Sequence, residues 1–164
     1  MATITLGGKP IQTNGDLPAV GAAAPAFSLV SASLAEQGLG SFGGYKVLNI
    51  FPSIDTSVCA MSVRQFNAEA GYRPGVTVIN ISADLPFAQK RFCGAEGLDG
   101  VVTLSTFRSD FADVYGLRMT SGPLAGLCAR AVVVVDGENR VVYRELVPEI
   151  AQEPDYAAAL AALG

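Results

Sequence analysis

The chain has 164 residues, of which 50% are apolar and 16% charged, and its formal net charge is −4. These values predict a single globular domain over residues 1–164 with a real core, and they exclude a disordered chain or a basic nucleic-acid-binding surface. Apolar runs such as Ala131 to Val135 fall far short of the roughly 18 residues that a membrane span needs. We therefore expect no nucleic-acid partner and no membrane association.

The predicted elements start with a β-hairpin over residues 1–13 that turns at Gly7 and Gly8. Residues 31–44 are mostly small and polar and predict a loop with room for one short helical turn. Asp84 and Pro86 are start signals for the second helix, with Asp84 as its N-cap. Strands alternating with helices predict an α/β thioredoxin-like fold, with a central mixed sheet flanked by helices and an added N-terminal β-hairpin. The strands are expected at 27–30, 45–51, 76–82, 101–105, 130–135 and 140–146, and the helices at 57–70, from 87 to about 93, at 109–115 and at 154–163. Gly94 or Gly97 is expected to end the second helix.

Histidine is absent, and the three cysteines are Cys59, Cys93 and Cys128. Without histidine there is no Ser–His or Cys–His nucleophile pair and no histidine-containing metal site. An odd number of widely spaced cysteines fits neither a structural zinc site nor a secreted disulfide framework. No secretory signal is visible at the N-terminus, so we expect a cytoplasmic protein with no metal and no cofactor. In that compartment a pair of cysteines is more often redox-active than structural.

Cys59 follows a predicted buried strand and falls in the first turn of the helix predicted from residue 57. Asp55 or Thr56 is the candidate N-cap, which places Cys59 three or four residues into the helix. Free backbone N–H groups and the positive end of the helix dipole favour a thiolate at this position. A small, buried and inert cysteine is the alternative. Pro52 can fix the turn and shield the thiol, and the Thr56 hydroxyl can point at the sulfur.

A reactive Cys59 needs a cationic partner, which in a chain without histidine must be an arginine or a lysine. Arg64 lies five residues after Cys59, about one and a half helical turns, so it faces partly away. From the residues alone, Arg130 is more simply an exposed arginine at a strand edge. Cys93 and Cys128 are, on the same basis, compatible with buried structural thiols.

The pattern Pro-x-x-x-Thr-x-x-Cys, formed by Pro52, Thr56 and Cys59, resembles the active-site motif of the peroxiredoxins. The longer string 52–64 is similar to the bacterial thiol peroxidase subfamily, although that subfamily commonly has proline where Ser57 stands. The resemblance spans essentially the whole chain. Its other parts are Gly-Gly-Lys-Pro at 7–10, the segment 21–27, Gly-Pro-Leu-Ala-Gly-Leu at 122–127 followed by Ala-Arg-Ala at 129–131, and Glu-Pro-Asp-Tyr at 153–156.

The resemblance implies a thioredoxin-dependent peroxidase of the atypical two-cysteine type that reduces hydrogen peroxide and alkyl or lipid hydroperoxides. Cys59 matches the peroxidatic cysteine, which becomes a sulfenic acid. Thr56 matches the residue that hydrogen-bonds the thiolate and the peroxide, and Pro52 the residue that shields the pocket. Arg130 matches the family arginine that favours the thiolate and stabilises charge on the breaking O–O bond. Family members are usually homodimers, so we expect one here.

Cys93 matches the resolving cysteine of the subfamily, 34 residues after Cys59 on the following helix. The resemblance implies that it condenses with the Cys59 sulfenic acid to an intramolecular disulfide. A disulfide requires Cα atoms within about 7 Å, so we expect the first turn at Cys59 and the Cys93 helix to unwind partly on oxidation.

Two other functions are compatible with the same fold and the same cysteines. The first is a peroxide-sensing disulfide carrier that passes oxidation to a partner protein through Cys59 and Cys93. The second is a non-catalytic thioredoxin-fold binding module in which Cys59 is buried and inert.

Overall fold

The computed structural model describes residues 1–164, and a seven-stranded mixed sheet dominates it. A separate two-stranded antiparallel hairpin forms the N-terminus, and its turn uses Gly7 and Gly8, which both have positive φ. The strands are β1 (Thr3–Leu6), β2 (Lys9–Gln12), β3 (Leu29–Ser31), β4 (Glu36–Gln37), β5 (Tyr45–Ile50), β6 (Val76–Ser82), β7 (Val101–Ser105), β8 (Ala131–Val135) and β9 (Val141–Leu146). The helices are α1 (Ser57–Ala70), α2 (Pro86–Glu96), α3 (Phe111–Val114) and α4 (Tyr156–Ala161).

Strand order across the large sheet is β4-β3-β7-β6-β5-β8-β9. Strand β5 lies inside the sheet, where it pairs in parallel with β6 and antiparallel with β8. Successive side chains of β5 point to opposite faces of the sheet, so Val47 packs in a cluster with Phe66 of α1, while Leu48 and Ile50 belong to the larger cluster on the other face. Burial on both faces explains why β5 is an almost unbroken apolar run. The predicted mixed sheet, flanking helices and N-terminal hairpin are confirmed.

The pairing of β5 with β8 sets the position of the residues that follow β5 in the chain. Ile50 lies opposite Ala131, which places Arg130 beside Phe51 at the end of the strand. Because side chains alternate along a strand, a slip of one residue would turn Arg130 to the other face of the sheet. The register therefore fixes which side chain from β8 meets the start of α1.

Several predicted boundaries differ from the structure. The predicted loop at 31–44 contains the expected helical turn, the 3₁₀ turn Leu39–Ser41, and also the short strand β4. The prediction that Asp84 caps α2 is wrong, since Leu85 occupies the N-cap position and the Asp84 side chain bonds a different segment. Helix α2 runs past residue 93 to Glu96, and Gly97, one of the two glycines expected to end it, is its C-cap; the φ of 66° at Gly97 is the left-handed conformation that glycine adopts readily. Every helix of the protein is too short or too polar to cross a membrane.

Candidate active site

Cys59 is the third residue of α1, in the first turn of the helix as predicted. Thr56 occupies the N-cap position, and its carbonyl accepts the first intrahelical hydrogen bond, from the Ala60 N–H at 3.0 Å. The Cys59 N–H is thus one of the amides that no helical carbonyl satisfies. Cys59 has no exposed surface and packs with Phe51, Ile54 and Val63. The thiol therefore faces the positive end of the helix dipole inside an apolar setting, where charge interactions are strong.

Arg130 supplies the cation at the Cys59 sulfur. Its Nη2 donates a hydrogen bond to Cys59 Sγ at 3.2 Å, and its Nε donates to the Ile150 carbonyl at 2.8 Å. Only 2% of the side chain is exposed, so the interpretation of Arg130 as a surface residue is wrong. A guanidinium buried this deeply needs hydrogen-bond acceptors, and Cys59 Sγ and the Ile150 carbonyl are the two it has. The remaining nitrogen, Nη1, is buried and has no hydrogen-bond partner.

Arg64, the rival cation, lies away from the sulfur. It forms an ion pair with Glu96 of α2, and its guanidinium sits over the Phe92 ring, 5.5 Å from the centroid. This pair ties the outer surface of α1 to α2 and leaves Arg130 as the arginine at Cys59.

A cavity of about 180 Å³ lies next to Arg130 and the start of α1. Pro52, Thr56 and Arg130 line it, so three residues predicted for the site share one cavity with apolar walls. The apolar walls come from Leu6 of the hairpin and from Val58, Leu124 and Ile150. Cys59 itself is not part of the cavity wall, and its side chain has no exposed surface.

The Thr56 hydroxyl does not point at Cys59. It donates to the Ser53 carbonyl at 3.0 Å, and the Thr56 N–H donates to the same carbonyl at 3.2 Å. The loop before α1 is therefore closed on itself by two bonds to one oxygen. Pro52, at the start of this loop, is buried.

Cys93 lies apart from the cavity at Arg130. It is partly buried in α2, and burial raises the pKa of its thiol. It lines a separate, open cavity of about 560 Å³, together with polar residues such as Ser31, Gln37 and Lys90. All three cysteines are free thiols. Cys59 and Cys93 each lie in an intact helix.

Cys128 is a buried structural thiol. Burial, and secondarily the negative charge of Asp113, raise its pKa to about 12. It therefore stays protonated at neutral pH and is a poor nucleophile. No group of three or more acidic or cysteine side chains lies close enough together to hold a metal ion.

A buried polar network beneath α1 was missed by the sequence analysis. Asn49 of β5 donates to Asn80 Oδ1 of β6 at 2.8 Å and to Ser62 Oγ at 3.2 Å. The Ser62 hydroxyl in turn donates to the Cys59 carbonyl at 2.8 Å. Both asparagines are fully buried. An asparagine in the middle of an apolar strand was the available signal, since buried polar groups persist where they are hydrogen-bonded.

Comparison with known proteins agrees with this geometry. The Redoxin family model matches residues 19–160. The thiol peroxidase of Mycobacterium tuberculosis (strain ATCC 25618 / H37Rv) is 57% identical over 165 residues, covering 100% of this chain and 99% of the relative. Two solved structures are also similar. A peroxiredoxin-like protein from Aquifex aeolicus has a TM-score of 0.92 at 37% identity, with 99% of this chain and 96% of that chain covered. A thiol peroxidase from Chromobacterium violaceum has a TM-score of 0.88 at 27% identity, with the same coverage.

The chain therefore belongs to the Redoxin family and has the thioredoxin-like peroxiredoxin fold. Within that family it is a thiol peroxidase, a peroxiredoxin-type oxidoreductase that reduces peroxides. The alternative of a non-catalytic binding module is wrong.

Proposed function

We propose that Cys59 is the peroxidatic residue and that it works as a thiolate paired with Arg130. The observation that carries this proposal is the 3.2 Å contact between Arg130 Nη2 and Cys59 Sγ at the start of α1. The thiolate attacks one peroxide oxygen, so an S–O bond forms as the O–O bond breaks. The departing oxygen takes a proton and leaves as water or an alcohol, and Cys59 becomes a sulfenic acid.

Arg130 and the cavity beside it support this reaction at a hydroperoxide. The unpaired Nη1 of Arg130 is a buried donor that a peroxide oxygen can accept from. That bond strengthens as negative charge develops on the leaving oxygen, which is the condition for transition-state stabilisation. Thr56 contributes a second polar group to the cavity, and Pro52 limits access of water. The apolar walls around them favour alkyl and lipid hydroperoxides alongside hydrogen peroxide.

Cys93 is proposed as the resolving residue. Its thiol condenses with the Cys59 sulfenic acid, forming the disulfide and releasing water. Both cysteines lie in intact helices, with Cys59 fully buried. The first turn of α1, and part of α2, must therefore unwind for the sulfurs to meet. Ser57, where the subfamily commonly has proline, lies in the segment that unwinds.

Thioredoxin is proposed as the reductant of the disulfide. The protein is proposed to be a cytoplasmic homodimer, and each chain a single domain. The support is the resemblance to the subfamily and the partly exposed position of Cys93 beside an open cavity. Peroxide turnover coupled to thioredoxin reductase, sedimentation velocity at micromolar protein and cell fractionation test these three points.

The central experiment compares peroxide consumption by the wild type, Cys59→Ser and Cys93→Ser, with Cys128→Ala as the matched control. We expect Cys59→Ser to be inactive, because the nucleophile is gone. Cys93→Ser should react once with peroxide and then fail to turn over with thioredoxin, while Cys128→Ala should resemble the wild type. Full activity in Cys59→Ser would disprove the proposal. Slow peroxide turnover with fast disulfide transfer to a target protein would favour the peroxide-sensing carrier instead.

A further inference from the structure

The carboxylate of Asp84 accepts three hydrogen bonds and lies between the loop before Cys59 and the helix that carries Cys93. Its Oδ1 accepts from the Ser53 hydroxyl at 2.7 Å, and its Oδ2 accepts from the Ile54 N–H at 2.7 Å and from the Ser82 hydroxyl at 2.6 Å. Two of these donors belong to the loop that leads into α1 and Cys59. Asp84 itself lies two residues before α2, the helix that carries Cys93.

Through these bonds Asp84, which is distant in the sequence, fixes the loop that precedes Cys59. The Ser53 carbonyl accepts both the hydroxyl and the N–H of Thr56, so holding Ser53 in place also holds Thr56 at the cavity. The main chain of Asp84 is fixed in turn, because its carbonyl accepts from the Ser105 hydroxyl at 2.5 Å. A continuous path of hydrogen bonds thus runs from β7 through Asp84 to the N-cap of α1.

The other polar links between these segments are weaker. Asp55 pairs with Arg91 at 3.3 Å, with side chains 65% and 69% exposed, and the Arg64–Glu96 pair is also partly exposed. Exposed ion pairs contribute little to stability because water and salt screen them. Charge-assisted hydrogen bonds to a partly buried carboxylate are stronger, so Asp84 is the main polar restraint on the loop.

We propose that Asp84 is a positioning residue that holds the loop Ser53–Thr56 in the form that reacts with peroxide, and thereby sets how long oxidised Cys59 remains helical. The proposal rests on the function proposed for Cys59 and Cys93. The Cys59 sulfenic acid has two competing fates. Condensation with the Cys93 thiol releases water and forms a disulfide, whereas attack on a second peroxide releases an alcohol or water and forms a sulfinic acid.

The two fates depend on the loop in opposite ways. Disulfide formation requires the first turn of α1 to unwind, whereas over-oxidation occurs while Cys59 stays in the folded site beside Arg130. Loosening the loop should therefore slow the first oxidation of Cys59, speed disulfide formation and reduce the sulfinic acid formed per turnover. A substitution that lowered only the global stability, in a protein that remains folded, would leave the ratio of sulfinic acid to disulfide unchanged.

The test compares wild type with Asp84→Ala, Asp84→Asn and Ser53→Ala, with Glu96→Gln as a control that breaks an exposed link between α1 and α2. Reduced protein is mixed with hydrogen peroxide and quenched, and sulfenic acid, disulfide and sulfinic acid are quantified by mass spectrometry. For Asp84→Ala we expect Cys59 oxidation to slow about tenfold or more, the effect of losing hydrogen bonds to a charged group. Its ratio of sulfinic acid to disulfide should fall below that of the wild type.

Asp84→Asn should show an intermediate effect, because an amide oxygen still accepts the Ile54 N–H without the charge. Ser53→Ala removes one hydroxyl and keeps the Ile54 and Ser82 bonds, so it gives the same direction of change even where Asp84→Ala does not fold. Glu96→Gln should behave like the wild type. An unchanged or higher sulfinic acid ratio in Asp84→Asn and Ser53→Ala would overturn this inference alone. Peroxide consumption by Cys59→Ser would instead overturn the proposed function.

Discussion

Replacing Arg130 by lysine separates the charge of this residue from its geometry. Arginine contacts two acceptors at once, with Nη2 on Cys59 Sγ at 3.2 Å and Nε on the Ile150 carbonyl at 2.8 Å. Its Nη1 is buried without a hydrogen-bond partner and is the third donor, the one proposed above for the peroxide. Lysine keeps the positive charge but carries a single nitrogen, which cannot occupy all three positions of the planar fork. Arg130→Lys should therefore lose at least one hydrogen bond in which a partner is charged.

A hydrogen bond to a charged group contributes about 1.5–3 kcal/mol, and each 1.36 kcal/mol changes a rate tenfold. These values predict a fall in kcat/KM for hydrogen peroxide of about 10- to 150-fold. The fall should appear in the oxidation of Cys59 and leave the reduction of the proposed Cys59–Cys93 disulfide unchanged, because Arg130 lines the cavity at Cys59 and not the one at Cys93.

The chain has no tryptophan, so Cys59 oxidation is best measured by competition with a haem peroxidase for a limiting amount of peroxide. Arg140→Lys is the matched control, since exposed Arg140 also donates to a backbone carbonyl, that of Gly21, far from the cavity. Urea unfolding of both variants separates a loss of stability from a loss of chemistry. A folded Arg130→Lys protein whose kcat/KM stays within about twofold of wild type would refute the role given to the guanidinium.

Two further predictions concern groups outside the reaction. Cys128→Ala should retain wild-type activity. Iodoacetamide should leave Cys128 unmodified in the native protein, because burial raises the pKa of this thiol to about 12. Rapid alkylation of Cys128 in the native protein would contradict this prediction. The Ala151 N–H, then the Gly8 N–H and the Thr5 hydroxyl, lower the pKa of Glu149 from 4.5 to about 2. A carboxyl whose pKa is lower in the folded state stabilises the protein above pH 4.5 and loses that contribution as the pH falls towards 2. Thermal denaturation should therefore show that Glu149→Gln is less stable than the wild type at pH 7 and that the difference in stability shrinks between pH 4.5 and 2. An equal difference at pH 7 and pH 2 would show that the charge is not involved.

The sequence predicted the elements whose signals are local. Helix α1 begins at Ser57 and ends at Ala70 as its apolar spacing indicated, and β5 is buried on both faces as its apolar run required. The start of α2 was predicted less well. Asp84 resembles an N-cap in the sequence, but its carboxylate bonds Ser53 and Ile54, about 30 residues earlier, and no local pattern reports that partner.

The site shows the same division between local and distant information. The position of Cys59 in the first turn followed from the residues around it. Arg130, by contrast, looked like a surface residue until the resemblance to a known family was considered, because its burial depends on the register between β5 and β8. The support that Asn49 gives to the Cys59 carbonyl through Ser62 also depends on tertiary packing. Spacing along the chain does not encode these contacts.

The contact between Cys59 and Arg130 joins residues 71 positions apart, and it exists only when β8 has paired with β5. During synthesis, α1 leaves the ribosome well before Arg130 does, and non-local strand pairings of this kind form late. A nascent or misfolded chain therefore lacks the contact between Arg130 and the Cys59 sulfur. In the mechanism proposed above, only the completed sheet supplies the arginine that activates Cys59. Reactivity towards peroxide would then report correct folding, and the appearance of sulfenic acid during refolding would time the docking of β8.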